Sequence, residues 1–155
     1  MNYSRTQREL PDEAHLERFA ASFASHLKPP VVVYLEGPLG AGKTTFVRAL
    51  ARSLGYEGRV KSPTYGLLER YNFKGLELLH LDLYRVNDEL ELEFLALRDL
   101  FRNSTVLLVE WPTRGGQEIP SADIRLVFSD SILERELTAV ANTEIGETLV
   151  RTLSE

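Results

Sequence analysis

The sequence predicts an α/β fold with a mixed central sheet that includes antiparallel hairpins, and three observations support it. Two apolar runs, residues 31–35 and 106–109, have the composition of strands that are covered on both faces. Apolar residues recur at helical spacing before, between and after the extended segments. Two pairs of extended segments follow each other across short polar turns, which is typical of hairpins. Helices between strands, together with hairpins, indicate this mixed architecture.

The first predicted helix begins at residues 10–13, where Leu10-Pro11-Asp12-Glu13 places acidic residues in a first helical turn. Lys28-Pro29-Pro30 ends the helix, because proline cannot continue it. The apolar residues between these limits fall on one face and are Leu16, Phe19, Ala20, Phe23 and Leu27. This face is expected to pack on the sheet.

A glycine-rich segment follows the first strand and matches G-x-x-x-x-G-K-[ST] at every fixed position over residues 37–44. Backbone N–H groups can curl around phosphate oxygens where glycine permits a positive φ, as Gly37, Gly40 and Gly42 do. Lys43 supplies a charge toward the β- and γ-phosphates, and Thr44 supplies a hydroxyl for a magnesium ion. The other predicted cofactor-binding residues of the segment are Leu39, Ala41 and Thr45.

A glycine-rich turn that matches this pattern by accident is the alternative. The flanking residues argue against it, because Val31-Val32-Val33-Tyr34-Leu35 predicts a buried strand. After the segment, a helix with Phe46, Val47, Leu50 and Leu54 on one face is predicted, and Gly55 stands where a C-terminal cap belongs. Phosphates bind at the N-terminus of a helix in this context.

The second half of the chain predicts two hairpins around a central strand. The first hairpin joins residues 67–71 to residues 76–82 across a turn at 72–75. The central strand is Val106-Leu107-Leu108-Val109, and the second hairpin joins residues 124–128 to residues 135–140.

Two further helices are predicted around these strands. Asn87 and Asp88 can cap a helix that precedes the central strand, and Asn142 can cap the last helix. The apolar residues assigned to the two helices are Leu90, Phe94, Leu97 and Phe101 for the first, and Ile145, Leu149, Val150 and Leu153 for the second.

Two carboxylates, Asp82 and Glu110, each end an apolar strand. Nucleoside triphosphate chemistry needs an acid beside the phosphate-binding loop, and ligands of open α/β sheets bind at the carboxyl ends of the strands. We favour Glu110 near the metal and the attacking water, with Asp82 as a second acid that positions magnesium or water. The reverse assignment stays open, and either acid could instead be satisfied by a backbone N–H.

Four other residues are weaker candidates. Thr64, in Ser62-Pro63-Thr64-Tyr65, could face the γ-phosphate in a segment ordered by nucleotide, although a proline-shaped strand entry explains the pattern equally well. Arg85 could steady phosphate charge or make a surface ion pair. Trp111 is interpreted as a packing residue at the rim of the crevice, and His80 as a satisfied structural histidine.

Composition limits the class of protein. One domain, residues 1–155, is expected, and the absence of cysteine excludes disulfides and thiolate chemistry. No apolar run reaches transmembrane length and no signal-like segment opens the chain, so a cytoplasmic protein is expected. The net charge of −5 argues against direct binding of nucleic acid, which a partner would then hold.

Four segments in this order and spacing resemble the TsaE family: residues 37–45, 62–65, 80–85 and 109–112. The resemblance, which the segment at 10–13 extends, implies a three-layer P-loop NTPase fold and a bacterial ATPase needed for threonylcarbamoyladenosine at position 37 of tRNA. It further implies ATP and Mg²⁺ as cofactors and a TsaB–TsaD heterodimer as the partner that carries out the transfer.

The resemblance also implies roles for individual residues. Lys43 and Thr44 bind phosphate and magnesium, and Glu110 lies at the metal. Asp82 and Thr64 lie around the γ-phosphate, and they complete the predicted catalytic set with Lys43 and Glu110. Glu13 and Arg135 resemble positions near the rest of the nucleotide.

Two features of the residues refine this expectation. The chain lacks an N-K-x-D guanine-reading motif, which favours ATP over GTP. It also shows no obvious arginine finger, and hydrolysis without one is slow, so a weak ATPase activated by a partner is expected.

A small-molecule kinase and a non-hydrolytic ATP switch are the alternative functions. The kinase would need an arginine-rich lid, which does not stand out in the sequence. In the switch, ATP would only order residues 62–65.

Overall fold

The computed structural model describes residues 3–60, 67–129 and 135–153, which contain seven strands and four α-helices. The strands are β1 (Arg5–Glu9), β2 (Val31–Glu36), β3 (Leu68–Phe73), β4 (Leu76–Asp82), β5 (Thr105–Glu110), β6 (Ile124–Phe128) and β7 (Glu136–Ala141). The helices are α1 (Glu13–Ser25), α2 (Lys43–Ser53), α3 (Leu97–Leu100) and α4 (Glu144–Leu153).

All seven strands form one sheet in the order β1-β7-β6-β2-β5-β4-β3. The four central strands, β6, β2, β5 and β4, run parallel to one another. The β3–β4 and β6–β7 pairs are antiparallel hairpins, and β1 pairs antiparallel with β7 at the edge. The predicted mixed sheet with antiparallel hairpins is therefore confirmed.

The sheet separates two apolar clusters, and alternate residues of each central strand belong to different clusters. Val31 and Val33 face α1, α2 and α4, whose apolar residues form the larger cluster with them. Val32 lies on the opposite face of the sheet, which is covered by a short 3₁₀ helix that contains Leu92 and by α3, which contains Leu97. All six residues of β5 are buried, because this strand lies at the centre with both faces covered.

The first two helices agree with their predicted limits. Asp12 caps α1, and its side chain accepts a hydrogen bond of 2.9 Å from the His15 N–H. Gly55 follows α2 with φ of +108°, and its N–H donates to the Arg52 carbonyl. Gly55 therefore occupies the cap position predicted for it, whereas Asp12, which was expected in the first turn of α1, is the N-cap.

The helix predicted between Asn87 and Phe101 is wrong in form. Asp88 does cap a helical segment, but Glu89–Leu95 is a 3₁₀ helix. Ala96 then adopts φ of +48°, which breaks the chain direction before the single turn of α3. The tighter 3₁₀ winding buries Leu92 and leaves Leu90 55% exposed, although Leu90 was assigned to the apolar face.

Three smaller differences come from features that local patterns do not reveal. Strand β1, Arg5–Glu9, is polar throughout and was not predicted. The Thr143 hydroxyl, rather than Asn142, accepts from the Gly146 N–H in the first turn of α4. Two 3₁₀ turns, Pro112–Arg114 and Gly116–Glu118, lie between β5 and β6, where no helix was predicted from the sequence.

None of the helices in the described ranges is long and apolar enough to span a bilayer.

The turn that leaves β2 is closed by a tight contact between neighbouring strands. Gly37 has φ of +145°, and a Cβ at this position would lie 2.9 Å from the Phe128 carbonyl oxygen at the end of β6. Gly40 has φ of +78°, but a Cβ there would meet nothing within 4 Å. A side chain at either position would strain the backbone, but only at Gly37 would its Cβ also clash with a neighbouring strand.

We expect Gly37→Ala to destabilise the protein more than Gly40→Ala. Gly37→Ala should lower the free energy of unfolding by about 2–6 kcal/mol, because strain and overpacking each cost about 1–3 kcal/mol. Gly40→Ala should cost only about 1–2 kcal/mol, from its left-handed backbone. Urea unfolding of the two variants measures the difference, and equal losses would contradict the close approach to Phe128.

Candidate functional site

The glycine-rich loop presents unpaired backbone donors at the start of α2. Gly42 precedes the helix with φ of +109°, and no side chain caps this end. The first helical hydrogen bond runs from the Phe46 N–H to the Gly42 carbonyl. The N–H groups of Lys43, Thr44 and Thr45 therefore have no acceptor within the helix and are left for an anion.

Lys43 lies just inside the site and is only 4% exposed. Its Nζ donates to the Gly37 carbonyl at 2.5 Å and lies 4.0 Å from the centre of the Trp111 ring. Burial lowers the pKa of Lys43, and the nearby carboxylates of Glu110 and Asp82 oppose that shift. The ammonium group thus rests against a carbonyl and an aromatic face.

Asp82 and Glu110 end adjacent parallel strands and are partners in the register of β4 and β5. Each has one carboxylate oxygen held by the protein. The Tyr84 N–H donates to Asp82 Oδ1 at 3.0 Å, and His80 Nε2 lies 2.6 Å from Glu110 Oε2. No hydrogen bond from the described part of the chain holds the second oxygen of either residue, so both can face a ligand.

The two carboxylates affect each other electrostatically. Burial raises the pKa of Asp82 above its ordinary value of 3.8, and the neighbouring charge of Glu110 raises it further. The hydrogen bond from the Tyr84 N–H and the nearby charge of Lys43 act in the opposite direction. Burial and the adjacent acid outweigh them, so ionised Asp82 lacks full compensation in the ligand-free protein.

A cavity of about 460 Å³ joins the loop to the two carboxylates. This volume lies within the range of about 300–1,000 Å³ that is usual for ligand sites. Its lining brings together ten of the predicted site residues: Glu13, Leu39, Gly40, Gly42, Lys43, Thr44, Thr45, Asp82, Glu110 and Arg135. Gly37 and Ala41 lie in the loop without lining the cavity, and Thr64 lies outside the described residues.

Five further residues line the cavity: Leu16, Leu67, Tyr84, Arg85 and Trp111. Arg85 was one of the weaker candidates from the sequence. Arg85 makes no ion pair with a described residue, so the surface ion-pair alternative has no support there. Trp111 adopts φ of +56°, an unusual conformation for a bulky side chain, and its ring packs on Tyr84 at 5.1 Å. It lies inside the site, under Lys43, rather than only at its rim.

His80 differs from its interpretation as a satisfied structural histidine. It is fully buried, and its Nε2 contacts Glu110, but its Nδ1 has no hydrogen-bond partner among the described residues. Its two-residue spacing from Asp82, which puts both side chains on the same face of β4, is a local signal that could have linked it to the site.

The donor set fits a magnesium ion. Mg²⁺ prefers oxygen ligands, keeps several waters and is usually bound through one or two carboxylates together with substrate phosphates. The cavity offers the free oxygens of Asp82 and Glu110 and the hydroxyl of Thr44. The described residues contain no cluster of three or more metal-binding acids, histidines or cysteines, as an all-protein metal cage would require.

Comparisons with known proteins identify the family. The family model described as threonylcarbamoyl adenosine biosynthesis protein TsaE matches residues 10–137. A Haemophilus influenzae protein named tRNA threonylcarbamoyladenosine biosynthesis protein TsaE is 39% identical over 150 residues, covering 94% of this chain and 95% of that protein. A Bacillus subtilis protein of the same name is 39% identical over 136 residues, covering 85% of this chain and 83% of that protein.

A solved structure agrees with these matches. The crystal structure of Bacillus subtilis YdiB superposes with a TM-score of 0.82 and 30% identity, covering 99% of this chain and 97% of that one. Sequence and fold therefore lead to the same conclusion: this chain belongs to the TsaE family.

Proposed function

We propose that this chain is a Mg²⁺-dependent ATPase of the cytoplasm that is required for threonylcarbamoyladenosine modification of tRNA at position 37. The names of its relatives support the pathway. One arrangement carries the proposed ATPase activity: the unpaired amides and Lys43 of the loop share a cavity with Asp82 and Glu110. Phosphate donors thus face metal-binding acids across one site.

Each polar group of the cavity has a role in this reaction. The N–H groups of residues 43–45 and the Lys43 ammonium bind phosphate oxygens, and the Thr44 hydroxyl binds the metal. Mg²⁺, when bound, neutralises charge that develops between the β- and γ-phosphates. Glu110 orients a water whose oxygen attacks the γ-phosphorus, while the bond from that phosphorus to the bridging oxygen breaks. ADP, phosphate and a proton leave.

We further propose that a TsaB–TsaD heterodimer is the partner and that it accelerates turnover, with tRNA held by the partner. Arg85 and Arg135 line the cavity from exposed positions, and neither side chain makes a hydrogen bond or an ion pair with a described residue. Neither is therefore pre-organised as an arginine finger, a contribution worth about 10³–10⁵ in rate. A docked partner can supply or fix such a charge, and the net charge of −5 agrees with indirect tRNA contact.

The electrostatics of the acids support a cation site. Burial raises the pKa of Asp82, and repulsion from the adjacent Glu110 carboxylate raises it further, so ionising both acids costs free energy. A group whose pKa is raised in the folded state makes the fold less stable as pH rises through that pKa. Asp82 and Glu110 would hold a divalent cation, whose charge would offset this cost, as expected for a metal site rather than a purely structural pair.

Asp82→Asn should therefore stabilise the metal-free protein at neutral pH. The amide keeps an acceptor for the Tyr84 N–H but removes the charge beside Glu110. The gain should be largest at neutral pH and disappear below the ordinary pKa of 3.8, where both states carry a protonated aspartate. Thermal unfolding in EDTA from pH 3 to 8 measures it, with the exposed Asp99→Asn as control. A uniform change across this range would contradict the argument.

Glu110→Gln should abolish hydrolysis while leaving ATP bound. The loop amides and Lys43 remain, so binding should persist, whereas loss of the carboxylate should lower turnover by about 10²–10⁴. Single-turnover hydrolysis and equilibrium binding of ATP separate the two effects, and the exposed Glu57→Gln is the control. If partner binding and tRNA modification survive with hydrolysis gone, the non-hydrolytic switch replaces the ATPase.

The decisive experiment for the function is co-purification of this chain with a TsaB–TsaD pair, with and without ATP and Mg²⁺. We expect recovery of the pair only with nucleotide and metal, together with faster ATP turnover than the isolated chain shows. Rapid turnover by the isolated chain, or phosphorylation of a metabolite with no effect of the pair, would contradict the proposal.

A further inference from the structure

The environment of His80 differs from that of an ordinary core histidine. Its side chain is completely buried in β4, and its Nε2 lies 2.6 Å from Oε2 of Glu110, which is itself 3% exposed. A buried polar atom without a partner is uncommon, yet Nδ1 of His80 has none among the described residues. One ring nitrogen of His80, Nε2, therefore has a polar partner, and the other, Nδ1, has none among the described residues.

This geometry selects one tautomer of His80. An ionised carboxylate oxygen can only accept a hydrogen bond, so at 2.6 Å the Nε2–H of His80 must be the donor. A proton on Nδ1 instead would leave a buried donor unpaired and would set two lone pairs against each other. The tautomer with Nε2–H therefore leaves only the lone pair of Nδ1 without a partner among the described residues.

The contact with His80 also gives the two carboxylate oxygens of Glu110 different surroundings. Oε2 is held by His80 from inside the sheet, which leaves Oε1 as the oxygen available to the cavity. Asp82 shows the same division, because its Oδ1 accepts from the Tyr84 N–H. Both acids are thus fixed by one hydrogen bond each, but only that of Glu110 comes from a buried side chain.

We propose that His80 is a positioning residue for Glu110: its Nε2–H fixes the carboxylate so that a single oxygen is directed at the metal and the attacking water. The proposal deepens the proposed function and rests on it. His80 does not line the cavity, so it would act through Glu110 rather than on a ligand directly. Hydrogen-bond partners of metal-binding groups commonly contribute about 10–100-fold in metal affinity or activity, and that size of effect is expected here.

The tautomer can be measured without nucleotide. Long-range ¹H–¹⁵N NMR of the free protein should show His80 protonated on Nε2, with a downfield Nε2 proton that is protected from exchange. Signals from His15 and His26 are distinguished by their absence of protection and by the loss of the His80 signal in His80→Gln. In Glu110→Gln the Nε2 proton should move upfield, because its acceptor loses its charge. Protonation on Nδ1, or no shift, would overturn the proposal.

Two variants test the consequence for the metal. His80→Leu removes the donor, whereas His80→Gln can place an amide N–H near the position of Nε2. The readout is the Mg²⁺ concentration that gives half-maximal binding of a fluorescent, non-hydrolysable ATP analogue. It should rise about 10–100-fold in His80→Leu and recover most of that loss in His80→Gln.

A second measurement separates positioning from a general structural role. Binding of the same analogue in EDTA depends on the loop amides and Lys43, so both variants should match the unaltered protein there. Equal loss with and without Mg²⁺ would assign His80 a structural role and overturn the proposal. If the unaltered protein binds no analogue under either condition, the ATPase function fails, while the NMR experiment still decides the tautomer and the contact.

Discussion

The parallel pairing of β2 with β5 is the constraint on which the site depends. The glycine loop leaves β2, Glu110 ends β5, and Leu35 and Glu110 are partners in the register between these strands. A shift of one residue would turn Glu110 to the opposite face, away from the loop. Every residue of β5 is buried, so the apolar cost of such a shift is large. The core therefore fixes the position of the chemistry.

The same arrangement explains why polar groups can be buried here. Lys43, His80 and Glu110 are all less than 5% exposed, and each has a partner of its own: a carbonyl and an indole face for Lys43, and a shared contact for the other two. Burying a charge without such a partner is very costly. Asp82 remains partly accessible. Its raised pKa shows that nearby donors and cations do not fully compensate its negative charge.

Sequence patterns predicted the fold where local signals and burial agree. The central strands are apolar, and the glycine loop needs its residues in fixed order, so both could be recognised without tertiary information. The edge strand β1 could not, because an exposed polar strand is specified by its neighbour β7 rather than by its own pattern. The segment at 89–101 failed because helical spacing does not distinguish an α-helix from a 3₁₀ helix that breaks at Ala96.

The candidate site shows the same division. Lys43, Asp82 and Glu110 were found because a motif or a strand end marks them. Trp111 beneath Lys43, and His80 behind Glu110, depend on contacts between segments that are distant in sequence. No local pattern distinguishes a histidine that holds a catalytic carboxylate from one that fills a core, so only the three-dimensional contact reveals the difference.

Because β2 lies between β5 and β6, the cleft of the candidate site forms only when these strands have assembled, and this affects thermal unfolding. The walls of the cleft come from segments that meet only in the complete fold, so an unfolded chain offers no equivalent pocket. A ligand that occupies the cleft must therefore shift the folding equilibrium by mass action, by about 2.7 kcal/mol at a free concentration one hundred times its dissociation constant. Thermal resistance is then set partly by the surrounding pool of small molecules, not by the polypeptide alone.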